Sequence, residues 1–141
     1  MKNTEQLFNE LTSLSEEEVI SKAQEATNKL ARYLQDVRGL DEQKSFKYFV
    51  HIISLFISAD GHCGQEEWKL FNKILEGHYT YEAFYWATNG GTNKSFETRM
   101  INEIKNLPEE EKKAACTIGM VFLLSDKELT LFEKKLFEKI I

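Results

Sequence analysis

The chain carries the same pattern twice. Tyr48 to Leu75 reads YFVHIISLFISADGHCGQEEWKLFNKIL, and Ala114 to Ile141 reads AACTIGMVFLLSDKELTLFEKKLFEKII. Laid over each other at a constant offset of 66 positions, Ile52 falls on Ile118, Phe56 on Phe122 and Asp60 on Asp126. The register continues without a gap: Glu67 meets Glu133, Lys69-Leu70-Phe71 meets Lys135-Leu136-Phe137, and Lys73-Ile74 meets Lys139-Ile140. Each copy is an apolar run, a short acidic turn and an amphipathic run. An apolar helix with no polar face must be enclosed by other helices. The expected architecture is therefore all-α. It is a helical bundle of about seven to eight helices with two pseudo-symmetric helix–acidic turn–helix repeats, units 48–75 and 114–141.

The remaining segments fit that class. A short opening helix is predicted over Asn3 to Leu11. Ser15 followed by Glu18 forms a capping box, opening a helix whose stripe is Val19, Ala23, Ala26, Leu30, Leu34 and Val37. Gly39 sits where helices end in a left-handed residue, and Asp41 can cap the next helix, Glu42 to Ala59. That helix is expected at the centre of the bundle, with His51 as a hydrogen-bonded core residue. Gly64 to Glu76 follows, closed by Gly77. The aromatic segment Tyr79 to Trp86 either fills core or lines a groove, and core is favoured because large rings dominate interior burial. Asn89-Gly90-Gly91-Thr92-Asn93 is the clearest loop. Helices are then predicted over Phe96 to Leu107, Glu109 to Leu124 and Leu131 to Ile141. Pro108 suits a first helical turn, and Thr130 with Glu133 makes a further capping box.

At 141 residues the chain is expected as a single domain over 1–141. A formal net charge of −5 speaks against nucleic acid, which needs a positive surface, and against docking on anionic lipid. No stretch is long enough to span a bilayer. The opening Met1-Lys2-Asn3-Thr4-Glu5 lacks a signal peptide's apolar run, so a cytoplasmic location is expected, with Cys63 and Cys116 reduced.

The chemistry-bearing residues gather in the two turns. Asp60 and Asp126 end the apolar helices, and Glu67 and Glu133 stand in the first turn of the following ones. Four carboxylates placed by duplication suit a hard divalent cation such as Ca²⁺ or Mg²⁺. They lack the alternating ligands and twelfth-position glutamate of an EF-hand. The same residue types also serve as caps and turn formers, and that structural reading is favoured. His62 and Cys63 are too few for a zinc site and have no counterpart in the second unit, where Glu128 and Leu129 stand. No nucleophile–base set is justified, so no catalytic residue and no enzyme activity are expected.

An apolar helix ending in Ala59-Asp60-Gly61, then Glu67 in the next helix, with the unit returning near the C-terminus, resembles the tellurite-resistance TerB family. The resemblance runs from Tyr48 to the end and, less clearly, through Ser15 to Arg38. It implies an all-helical bundle of two related halves. It also implies a stress-response role exerted through protein contacts, with other Ter-type proteins as partners. By position it marks Asp60, Glu67, Asp126 and Glu133 as candidate metal ligands. Lys127 stands where the first unit has Gly61, a departure from the pattern at the second turn. The alternative is a plain helical interaction or homodimerisation module without metal.

Overall fold

The computed structural model describes residues 4–60, 64–89, 94–124 and 131–141. Among these the chain is all-helical, with no strand. The elements are α1 (Thr4–Thr12), α2 (Glu16–Asp36), α3 (Glu42–Asp60), α4 (Gln65–Leu75), α5 (Tyr81–Asn89), α6 (Lys94–Lys105), α7 (Glu109–Leu123) and α8 (Leu131–Ile140). No helix is long and apolar enough to cross a membrane among the described residues.

Helix starts follow local chemistry. The Ser15 hydroxyl accepts from Glu18 N at 3.2 Å, and Ser15 N donates back to Glu18 Oε1 at 3.2 Å. Two of the four orphan amides at the α2 terminus are thereby satisfied. Asp41 Oδ1 accepts from Lys44 N at 2.8 Å, and Thr80 Oγ1 from Ala83 N at 3.1 Å, which starts α3 and α5. Pro108 lies one residue earlier than expected: it is the N-cap of α7, extended at ψ 154°, with its carbonyl accepting from Lys112 N at 2.8 Å.

Two helix ends depart from expectation. The α2 stripe stops at Leu34, and Val37 is 70 % exposed. The amides of Val37 and Arg38 both turn back to Tyr33 O, and Gly39 at φ 68° redirects the chain. At the end of α4 the left-handed residue is Glu76 (φ 51°), not Gly77. The glycine is needed for space instead. A Cβ at Gly77 would lie 2.5 Å from the Tyr79 ring.

The centre of the bundle is shared. Helix α7 buries Ala114, Ala115, Cys116 and every residue from Ile118 to Leu123, and packs on α1, α2, α3 and α6. Helix α3 packs on α2, α5, α6, α7 and α8. The apolar run places α3 at the centre of the bundle, and it shares that place with α7. The paired positions of the two units are buried alike: Ile52 with Ile118, Phe56 with Phe122, Phe71 with Phe137, Ile74 with Ile140. Their neighbours differ. Phe56 meets Phe137 at 4.9 Å, whereas Phe71 faces Phe46, Tyr79 and Phe84. Helix α4 packs on α2 and α5, while α8 packs on α1, α3 and α6.

Candidate functional site

Of the four carboxylates marked by the sequence, two have described side chains. Glu67 is 2 % exposed and Glu133 is fully buried, each in the first turn of the second helix of its unit. Glu67 has a defined local role: its Oε2 accepts from Gly64 N at 3.1 Å. Gly64 has no side chain, so only this half of a capping box exists at α4. A carboxylate that reaches back over a positive helix end is favourably placed, and burial raises the cost of losing its bond. Asp60 is the last residue of α3, but its side chain, all of Asp126, and the residues Gly61, His62, Cys63, Lys127 and Thr130 lie outside the described residues. The expected cap between Thr130 and Glu133 falls there too. Among the described residues no three His, Cys, Asp or Glu side chains are grouped as a metal site would require.

The aromatic segment divides between the two readings. Its organiser is Asn72, a residue the apolar pattern of α4 did not single out. Asn72 Oδ1 accepts from Tyr79 N at 3.0 Å, and its Nδ2 donates to Tyr79 O at 3.0 Å. Trp68 Nε1 adds a donation to the same carbonyl at 2.6 Å. This clamp lays Tyr79 on Phe46 (5.6 Å, 24°) and edge-on to Phe71 (5.5 Å, 70°). From there α5 buries Phe84 against Phe71 at 5.1 Å. The other side of the helix is turned outward. Tyr85 is 40 % and Trp86 64 % exposed, their rings in edge contact at 5.7 Å and 86°. The segment is thus core at Phe84 and surface at Tyr85 and Trp86, because a helix has two sides and rings occupy both.

An apolar groove of about 640 Å³ lies between α1, α2, α4 and α7. Phe8, Leu14, Val19, Leu70 and Val121 line it, and the Lys73–Glu16 ion pair at 3.1 Å is on its rim.

His51 is not the core residue expected. It is half-buried on the flank where α3 meets α6, with its ring edge-on to Phe96 at 5.4 Å and 88°. Burial first, then the charges of Lys47 and Arg99, lower its pKa from the usual histidine range. Nearby, Arg38, between α2 and α3, pairs with Glu103 of α6, and Tyr48 Oη of α3 lies 3.4 Å from that carboxylate. Burial, then the Glu103 charge, pushes the Tyr48 phenol far up, so it remains a neutral donor. Cys116 is fully buried, and burial pushes its thiol up to about 12. A thiol so held is packing, not a nucleophile.

Comparisons with protein-family models, with curated proteins and with solved structures gave no match.

Proposed function

We propose that this chain is a non-enzymatic helical protein that acts through protein contacts, made by the outward aromatic side of α5. The observation that carries this reading is Trp86, 64 % exposed and braced edge-on by Tyr85. Trp and Tyr are enriched at the energetic centres of interfaces. Their backing here is rigid, since Phe84 on the same helix is anchored in the core. The test is capture of partners by wild-type protein and by Trp86→Ala, with light scattering on both to detect self-association. A stoichiometric partner, or a second copy, lost on substitution supports the reading. The same assembly in both proteins would sink it.

The tellurite-resistance role implied by the TerB resemblance belongs to the same proposal and rests only on the repeated Asp…Glu unit. Survival of tellurite-challenged cells with and without the protein tests it, and unchanged survival argues against it.

A divalent cation at the acidic turns is a second reading, favoured by the matched burial of Glu67 and Glu133. Calorimetric titration of chelator-treated protein with Ca²⁺, Mg²⁺ and Mn²⁺, repeated on Asp60→Asn with Asp126→Asn, tests it. Saturable heat lost in the double variant supports ligation. Heat that persists unchanged assigns the wrong ligands, and no heat leaves the carboxylates as caps.

A further inference from the structure

We propose that His51 and Arg99, both set against the Phe96 ring where α3 meets α6, form with Lys47, one helical turn before His51, a binding site for a phosphate-type oxyanion, free or as a phosphomonoester. Lys47 and His51 stand one helical turn apart on α3, on one side of the helix. The His51 ring is edge-on to Phe96 at 5.4 Å, and the Arg99 guanidinium carbon lies 5.6 Å from the centroid of the same ring. Phe96 thereby holds an imidazole and a guanidinium on one small platform.

What distinguishes this cluster is that none of its three members makes an ion pair among the described residues. The charged groups acting on His51 are Lys47 from its own helix and Arg99 from α6, both cationic. From α2, α5, α7 and α8, which also pack on α3, no described charge bears on it. Lys47 and Arg99 make no ion pair among the described residues. Arg38 nearby in sequence to α3 is matched by Glu103, and Lys29, Lys73, Lys112 and Lys134 each have a glutamate. In a chain of net charge −5, two unpaired cationic side chains beside a histidine are a local reversal of sign.

The chemistry of the group selects the anion. Two permanent positive charges match a phosphate, which carries roughly −1.5 to −2 at neutral pH. The planar fork of Arg99 suits two oxygens at once. His51 is the adjustable member. Unliganded, it is held neutral by burial and by its cationic neighbours. An arriving dianion cancels those neighbours, so His51 takes up a proton and becomes a third donor. Binding and protonation are then linked, each favouring the other.

The experiment is an NMR pH titration of the His51 ring in chloride and in inorganic phosphate at equal ionic strength, repeated with phenyl phosphate. Saturable phosphate binding is expected to raise the His51 pKa, by about one pH unit if the protonated form binds tenfold tighter. Lys47→Ala and Arg99→Ala, both at exposed positions, are each expected to weaken binding about tenfold, with helical content by circular dichroism unchanged. Tighter binding of phenyl phosphate would identify an ester as the ligand, and equal binding free phosphate. A response to chloride equal to that to phosphate would mean screening alone and overturn the proposal. So would phosphate binding undiminished in the Lys47→Ala, Arg99→Ala double variant.

Discussion

Gly119 of α7 lies directly beneath the Phe56 ring of α3: a Cβ on Gly119 would stand 2.3 Å from it. Both residues are buried, so the close approach of two central helices depends on one missing methyl group.

Gly119→Ala is therefore expected to destabilise the fold. Overpacking a filled core costs about 1–3 kcal/mol, and Phe56, fully buried and also against Phe137 at 4.9 Å, has little room to yield. Urea denaturation should show a lowered midpoint with an unchanged slope. Adding Phe56→Leu should recover part of the loss. Strict additivity of the two substitutions would show that they do not meet.

Glu67→Ala should lower stability by about 1–2 kcal/mol, as loss of a cap and of a buried bond does. The bond at stake is the one Glu67 accepts from Gly64 N at 3.1 Å. Glu67→Gln keeps an acceptor oxygen and should cost less. Hydrogen exchange at the Gly64 amide reads the effect locally, and unaltered protection in Glu67→Ala would refute the cap.

The His51 pKa is lowered in the folded chain, by burial and then by Lys47 and Arg99. The folded state therefore binds this proton less readily than the unfolded state does. Stability from this group is present above the unfolded value of about 6.5 and is lost as pH falls through the lower folded value. In phosphate-free buffer, melting temperature should drop between about pH 7 and pH 5, and His51→Gln should reduce that dependence. An identical profile in the variant would assign the drop to other groups.

Cys116 should be silent to thiol reagents in the native state. It is fully buried, and its thiol is pushed up to about 12, which leaves almost no thiolate at pH 8. In a Cys63→Ser background, the rate of modification should follow unfolding and rise steeply with denaturant. Rapid labelling in native buffer would place the thiol at the surface.

The apolar runs Tyr48 to Ala59 and Ala114 to Leu124, the Ser15–Glu18 box and the lone proline determined an all-helical chain from the sequence alone. Periodicity and capping are local, and the residues that create them are neighbours in the chain. The paired register of Glu67 and Glu133 is legible in the sequence; that both are buried, and what they touch, is not. Leu34 and Val37 share one stripe, yet only Leu34 is buried, because the turn at Gly39 ends the helix before Val37 reaches a neighbour. Phe84 and Trp86, two residues apart, have opposite fates, decided by which side of α5 faces Phe71. His51 reads as a core residue within an apolar run, and only the meeting of α3 with α6 sets it beside Phe96 and Arg99. Hydrophobicity states that a ring will be buried where it can be. Which rings find partners, and which cations gather without a counter-charge, depends on helices that meet across long stretches of chain, and that is settled by packing.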